Sequence, residues 1–167
     1  KLKFLHIAPE YCFLNLFKNM KNLDYITGDL ISPWADIKMD VHNIPFDENL
    51  FDVLICNHVL EHVEDDKKVM SELFRVMKPG GWGIFQVPIN KNSKYTLEDK
   101  NITDPKKREE LYWQSDHVRL YGLDYGDKLR SVGFIVTESN FINEIDTSLV
   151  ERYALPKDEI IYFCEKK

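Results

Sequence analysis

Two aspartates follow predicted strands, and both are placed to bind a nucleoside. Asp29 comes after the apolar run 23–27, at roughly the 20-residue offset from a first strand that is typical of dinucleotide sites. Its carboxylate can accept hydrogen bonds from both hydroxyls of a ribose. Asp40 precedes Val41, so that carboxylate can accept from an adenine amino group while Val41 packs on the ring. The alternative for each aspartate is an ordinary turn-capping residue.

Three histidines are candidates for proton transfer or ligand contact. His58 and His62 are four residues apart and would share a face if this stretch is helical. A metal site needs a third ligand, and because none stands at a useful spacing, the sequence predicts no metal. His58 either contacts a ligand or is hydrogen-bonded within the fold. His117 either acts as a general base, since free histidine titrates near working pH, or anchors the polar segment before it.

Apolar runs bounded by turn residues predict seven strands, and amphipathic spacing predicts helices between them. The strands are expected at residues 4–8, 23–27, 37–41, 51–56, 82–87, 134–137 and 159–163. One helix follows Pro9-Glu10 and has Leu14, Phe17 and Met20 on one face. A second helix carries the stripe Val69, Leu73, Val76 and Met77 and ends at Lys78-Pro79-Gly80-Gly81. A third runs from about Leu123, with Tyr125, Leu129 and Val132 on one face, to a cap at Gly133.

Strands and helices therefore alternate, which indicates a parallel α/β sheet with right-handed crossovers. The last two strands would form an antiparallel edge hairpin with only a loop between them. In such a sheet, ligands bind beyond the carboxyl ends of the strands, near the switch in strand order. Ala8-Pro9-Glu10, Asp29, Asp40 and Asn57-His58 all lie at the carboxyl ends of strands, so they are predicted to meet at one rim.

Length and charge limit the classes of function. The 167 residues fit a single domain, and a formal net charge of −6 disfavours binding to nucleic acid, which needs a basic face. The three cysteines form no CxxC pair, which favours a reducing cytoplasmic compartment. No apolar run approaches the roughly 20 residues of a membrane span. The chain begins at Lys1 and enters a strand almost at once, so upstream residues are expected to be missing.

The motifs together resemble the class I methyltransferases that use S-adenosyl-L-methionine (SAM), in particular methyltransferase type 11-like domains. The segment 51–62 resembles the family's fourth strand and turn, 72–81 its helix and "LKPGG" turn, 40–46 its "D…LPF" segment, and 129–134 the entry to strand six. The resemblance implies a Rossmann-like, mainly parallel seven-stranded sheet in the order 3-2-1-4-5-7-6, with helices on both faces and SAM across the first four strands. It implies S-adenosyl-L-homocysteine (SAH) as product.

Carried over by position, the resemblance also implies cofactor contacts. Asp29, with Leu30 beside it, matches the ribose-binding acid, and Asp40 with Val41 matches the adenine-side pair. Asn57 and His58 lie where family members contact the methionine part of SAM.

The first motif departs from the family, which has an acid and a G-x-G-x-G turn after strand one. Here His6 takes the acid's place, Ala8 that of the first glycine and Glu10 that of the second, with Pro9 between them. Glycine lets the backbone adopt positive φ and approach a ligand closely. Glu10 is predicted to accept from the methionine ammonium instead, and the "LHIAPE" strand end resembles a subgroup that carries this variant.

Three functions are compatible with the sequence. The first is methyl transfer from SAM to a small-molecule or protein acceptor, with His58 and His117 as catalytic candidates. The polar insertion 90–115 would then be a lid whose Tyr95, Tyr112 and Trp113 wall the acceptor. The alternative for this insertion is a solvated loop without a special role. The second, favoured by the altered first motif, is a non-catalytic SAM-fold regulatory module. The third is an NAD-linked oxidoreductase, which the missing G-x-G-x-x-G disfavours. The sequence does not indicate an oligomeric state.

Overall fold

Seven strands form one twisted sheet in a computed structural model that describes residues 1–167. They are β1 (Leu2–Ile7), β2 (Leu23–Asp29), β3 (Ile37–Lys38), β4 (Phe51–Cys56), β5 (Met77–Ile84), β8 (Ile135–Ser139) and β9 (Ile161–Glu165); β6 (Leu97–Glu98) and β7 (Arg119–Leu120) form a separate antiparallel pair. The sheet order is β3-β2-β1-β4-β5-β9-β8. The first five strands are parallel, and β9 runs antiparallel to both neighbours. The predicted strand order is confirmed.

Helices cover both faces of the sheet. They are α1 (Tyr11–Lys18), α2 (Asp66–Val76), α3 (Pro105–Tyr112), α4 (Tyr125–Ser131) and α5 (Thr147–Arg152), with a 3₁₀ turn at Phe141–Glu144. Successive strand residues point to opposite faces. On one face, the rings of Phe4 and His6 meet Phe17 of α1 at centroid distances of 5.0 and 6.0 Å. On the other, Leu5 and Ile7 join the main core with α2 and α4.

The helix α2 forms for the reasons that its sequence indicates. Its first turn is capped by Asp65, whose carboxylate accepts from the backbone N–H of Lys68 at 2.9 Å. The expected apolar stripe is buried in a cluster of 22 residues. Burial of each such side chain contributes about 1.5–3 kcal/mol to the free energy of unfolding, so this face fixes α2 against the sheet.

Several predicted boundaries differ from the structure. The third strand ends at Lys38 because Asp40 turns the chain: its carboxylate accepts from the backbone N–H of His42 at 2.9 Å. The fifth strand begins at Met77 and not at Trp82, since Met77 already pairs with Phe51 and the Pro-Gly-Gly residues are accommodated by a register shift. Met20 lies beyond the end of α1 and is exposed. The segment between β8 and β9 contains the 3₁₀ turn and α5, so the prediction of loop alone is wrong there.

The polar insertion is ordered around the small sheet. Leu97 pairs with Leu120 and Glu98 with Arg119, which fastens the insertion to the segment before α4. The helix α3 starts with Pro105 at its first position and is capped by Asp104, which accepts from Lys107. None of the helices is both long and apolar enough to cross a membrane.

Candidate functional site

A cavity of about 450 Å³ opens at the carboxyl ends of β1, β2 and β4. This volume is in the range of small-molecule and cofactor sites. Six of the ten predicted cofactor residues line it: Ala8, Asp29, Leu30, Asp40, Val41 and His58. The remaining lining residues are Ile7, Ile31, Met39, His42, Val59, His62, Val63 and Glu64. Part of the predicted rim therefore lies on one concave surface.

Two residues at this rim have left-handed backbones. Ala8 has φ 49° and His58 has φ 53°, although neither is glycine. Such a conformation costs a non-glycine residue roughly 1–2 kcal/mol and persists where the surroundings enforce it. The N–H of Ala8 donates to the carbonyl of Gly28 at 2.9 Å, and that of His58 donates to the carbonyl of Gln86 at 2.8 Å. Ala8 thus keeps the backbone conformation that a glycine would take at this place.

His6 lies beneath the rim and not in the cavity. Its ring is fully buried, with Nδ1 2.8 Å from the hydroxyl of Tyr25 and Nε2 2.5 Å from Oε2 of Glu10. Because an ionised carboxylate only accepts hydrogen bonds, Nε2 donates to Glu10. His6 therefore positions the Glu10 carboxylate and makes no contact with the cavity itself.

Glu10 stands directly before α1, with its side chain one-third exposed. Its other oxygen, Oε1, accepts from Nδ2 of Asn57 at 3.0 Å. Partial burial alone would raise the pKa of Glu10, but the hydrogen bonds from His6 and Asn57 outweigh it and lower the pKa to about 2. Glu10 is therefore an anion at neutral pH. Glu10, Asn57 and Pro9 lie beside the cavity and do not line it.

Asp29 is both a turn residue and a cavity residue. Its Oδ1 accepts from the backbone N–H groups of Ile31 and Ser32, each at 2.7 Å. Its Oδ2 receives no hydrogen bond from the chain. The turn-capping alternative is thus correct for one oxygen, while the other is free to accept from a ligand.

Asp40 has a similar double position. Its Oδ1 accepts from the backbone N–H of His42 at 2.9 Å and lies 2.8 Å from Nδ1 of the same residue. These two hydrogen bonds lower the pKa of Asp40, first through the backbone N–H and then through the ring. Val41, partly buried beside it, packs against the main core. The carboxylate is exposed at the outer wall of the cavity.

His58 lies between two cavities. Besides the rim cavity, it lines a second one of about 230 Å³ together with Val87, Pro88, Ile89, Lys91, Trp113, Glu159 and Ile160. Its Nδ1 is 3.3 Å from Oε1 of Glu61, and this hydrogen bond raises the pKa of His58 against the opposing effect of partial burial. No other residue lines both cavities.

His117 is placed differently from His58. It is only 1% exposed and lines neither cavity, so it is not placed to take a proton from a molecule bound in either. Of the three aromatic residues predicted to wall an acceptor, only Trp113 lines a cavity. Tyr112 is fully buried, its hydroxyl accepting from the N–H of Asp99 at 3.0 Å, and Tyr95 is exposed.

Sequence reasoning missed eight of the fourteen residues that line the rim cavity. Ile31, Met39, His42 and Val59 adjoin predicted residues in the chain, so proximity alone was the available signal. The residues 62–64 reach the cavity because the turn after β4 folds back over it. No local pattern in the sequence specifies that return.

Comparisons with known proteins agree with this architecture. Residues 15–85 match the family described as "Methyltransferase domain". The ubiquinone biosynthesis O-methyltransferase of Thiobacillus denitrificans is 36% identical over 90 residues, which cover 54% of this chain and 34% of that protein. The match therefore spans about a third of the length of that relative.

Solved structures share the fold at low identity. The 1,6-didemethyltoxoflavin-N1-methyltransferase of Burkholderia thailandensis, crystallised with SAH, superposes with a TM-score of 0.66 at 12% identity, covering 99% of this chain and 71% of that one. The [4+2]-cyclase SpnF superposes with a TM-score of 0.68 at 12% identity, covering 99% and 75%. These likenesses concern the fold. The family match thus covers residues 15–85, and the fold of the whole chain is the one found in these methyltransferase and cyclase structures.

Proposed function

We propose that the chain transfers a methyl group from SAM to a small acceptor group, with SAM in the rim cavity and the acceptor in the second cavity. The observation that carries this proposal is the shared wall at His58. Methyl transfer needs two ligands aligned across a short gap, since its rate depends mainly on orientation of the nucleophile and the methyl carbon. Two cavities that meet at one side chain, at the carboxyl ends of β1 and β4, suit that requirement.

The rim residues fit the parts of SAM. Oδ2 of Asp29 is free to accept from ribose hydroxyls, and the exposed Asp40 carboxylate with Val41 suits the adenine. The anionic Glu10, supported by Asn57, suits the methionine ammonium. Charge-assisted hydrogen bonds of this kind contribute about 1.5–3 kcal/mol each to binding.

The chemistry assigned to the chain is positioning and proton acceptance. Bound SAM supplies an electrophilic methyl group on a sulfonium ion. Trp113 and Ile89 wall the second cavity and would orient the acceptor toward His58. Where the acceptor must lose a proton, neutral His58 takes it at a ring nitrogen, and Glu61 stabilises the resulting cation through the hydrogen bond at Nδ1.

The second cavity constrains the acceptor. At about 230 Å³ it is smaller than a site for a drug-sized molecule, so it suits one ring or one side chain. Lys91 and Glu159 supply opposite charges at a mainly apolar wall. The acceptor is therefore a small molecule or the side chain of a protein, and the acidic chain disfavours nucleic acid.

The test is calorimetric titration with SAH, followed by incubation with SAM. The chain should bind SAH at one site, and Asp29→Asn should weaken the affinity by about 10- to 100-fold because the free carboxylate oxygen is lost. Asp24→Asn, an exposed change in the same strand, is the matched control and should bind as the parent does. Absent SAH binding, or equal affinities of the two variants, would contradict the proposed site.

A non-catalytic SAM-binding role is the second candidate, because the turn after β1 holds Ala8, Pro9 and Glu10 where the resembled family has a glycine-rich turn. Mass spectrometry of SAH released from SAM, in the presence of a panel of phenols, amines and peptides, separates the two. SAH release that depends on one acceptor supports transfer. If SAH binds tightly, its binding depends on Asp29, and no acceptor leads to SAH formation from SAM, the results support a non-catalytic sensor of the cofactor.

A further inference from the structure

Three side chains that bind metals in proteins meet at the inner edge of the rim cavity. Glu61 and His62 lie on the turn after β4, and His117 lies just before β7. One ligand atom from each lies within 4.8 Å of the others. The expectation of no metal depended on the lack of a third ligand near His62 in the sequence, and the fold brings His117 to that place.

His117 presents a lone pair with no partner. Its Nδ1 is 2.8 Å from the backbone carbonyl of Tyr112, and because a carbonyl only accepts, Nδ1 carries the proton. Nε2 is therefore the unprotonated nitrogen. It is buried and receives no hydrogen bond from the chain. A buried acceptor without a partner is rare and needs an explanation.

Glu61 provides a second such atom. The residue is 1% exposed, and Oε2 has no hydrogen-bond partner, while Oε1 contacts His58 at 3.3 Å. A carboxylate oxygen that is buried unpaired is strongly unfavourable unless a cation or donor meets it. Glu61 and His117 thus each hold one buried polar atom without a partner, and both residues belong to the same cluster of three possible ligands.

His62 has a carboxylate beside its ring. Its Nδ1 lies 3.2 Å from Oδ2 of Asp116, within ion-pair distance. Metal-binding histidines typically donate one N–H to a carboxylate or a carbonyl, which fixes the tautomer and the ring orientation. His117 has such a partner in the carbonyl of Tyr112, and the carboxylate of Asp116 lies beside His62.

The backbone around the three residues is fixed from both sides. The N–H of Val118 donates to the carbonyl of Glu61 at 2.9 Å. The buried guanidinium of Arg119 donates to the carbonyls of Leu60 and Glu64 at 2.6 and 3.0 Å. These contacts hold the turn after β4 against the segment that carries His117.

We propose that Glu61, His62 and His117 bind one divalent transition cation of the zinc type. Two imidazoles and one carboxylate suit such an ion, whereas magnesium and calcium prefer oxygen ligands alone. With ligand atoms at most 4.8 Å apart, each needs to move by roughly 0.7 Å to reach bonds of about 2.0–2.2 Å. Three protein ligands leave a fourth position for water or for an acceptor oxygen or nitrogen.

The location gives the ion a part in the reaction, and that part rests on the proposed function. His62 also lines the rim cavity, and His58, which hydrogen-bonds Glu61, separates the two cavities. An acceptor hydroxyl bound at the fourth position would lose its proton more readily, because a bound cation lowers the pKa of a coordinated hydroxyl. The binding of the ion itself does not depend on this part.

The test is titration of the metal-free chain with Co²⁺, followed by visible absorption. One equivalent should give the intense absorption of a low-coordinate cobalt complex, which Zn²⁺ abolishes and Mg²⁺ leaves unchanged. Glu61→Gln and His117→Gln should weaken cobalt binding by about 100-fold or more. His42→Gln, which removes a histidine outside the cluster, is the matched control and should bind cobalt as the parent does.

Two partly exposed positions test the site without disturbing the core. His62→Gln should weaken cobalt binding as much as the buried variants do. Asp116→Asn, at a side chain that is 68% exposed, should weaken cobalt binding by about 10- to 100-fold. Circular dichroism verifies that each variant is folded. No saturable cobalt binding by the parent, or unchanged binding in folded His62→Gln, overturns the proposal. The SAH titration tests the site at Asp29, whereas the cobalt titration tests Glu61, His62 and His117. Failure of one proposal can therefore be distinguished from failure of the other.

Discussion

Glu10 is connected to the interior through a short chain of hydrogen bonds. The hydroxyl of Tyr25 meets His6, His6 donates to Glu10, and Asn57 donates to the other oxygen of the same carboxylate. Strand β1 thus carries His6 near its end, and the carboxylate of Glu10 stands four residues later at the same rim. A negative charge therefore lies at the rim.

This arrangement predicts a direct effect of Glu10 on cofactor affinity. Glu10→Ala should weaken SAH binding by about tenfold or more, because a charge-assisted hydrogen bond to the ammonium is lost. Glu10→Gln should lie between the two, since its amide oxygen still accepts. Glu109→Ala, an exposed change on α3, is the control. Equal SAH affinities in calorimetry for the parent and Glu10→Ala would show that Glu10 only supports the start of α1.

Among the elements, one buried cation links the polar insertion to the turn after β4. Arg119 of β7 is fully buried and donates to the carbonyls of Leu60, Val63 and Glu64 and to the carboxylate of Glu98. The turn after β4 and the strand β6 are therefore fixed by the same guanidinium. Arginine suits this place because its planar group donates in several directions at once.

Arg119→Met should lower the free energy of unfolding by about 3–5 kcal/mol, because buried carbonyls and a carboxylate lose their donor together. Lys106→Met, at an exposed position of the insertion, should cost less than about 1 kcal/mol. Urea unfolding followed by circular dichroism measures both. A loss below 1 kcal/mol for Arg119→Met would mean that the insertion is attached by other contacts.

Across the whole molecule, the main strands and their order were predicted from the sequence, whereas some strand ends and distant contacts were not. Residues 51–56 form a strand as predicted, and the strand order follows from alternation and from motifs that lie in one order along the chain. The third strand is shorter than its apolar pattern because a side-chain hydrogen bond at Asp40 ends it. The meeting of His117 with Glu61 depends on how the insertion folds back, which no local period encodes. The features that were not predicted from the sequence thus depend on side-chain hydrogen bonds and contacts outside the apolar patterns.

A further contact, between α2 and the loop before β4, contributes to stability against acid. Glu72 of α2 accepts from the N–H of Ile44 at 2.9 Å and from Nε of Arg75 at 2.8 Å, and Arg75 also donates to the carbonyls of Ile44 and Phe46. The hydrogen bond from Arg75 has the largest effect and lowers the pKa of Glu72 below its ordinary value, against a smaller effect of burial. Ionised Glu72 therefore fastens the loop before β4 to the helix.

A depressed pKa in the folded state means that the folded chain resists protonation of Glu72 more than the unfolded chain does. Its contribution to stability is present above the ordinary glutamate pKa near 4.3 and is lost as the pH falls from there through the lower pKa of the folded state. Glu72→Gln should lower the free energy of unfolding at pH 7 and flatten its decline below about pH 4.3. Glu110→Gln, at an exposed position, should leave the decline unchanged. Urea unfolding at a series of pH values measures both slopes, and an equally steep decline in Glu72→Gln would assign the acid sensitivity to other carboxylates.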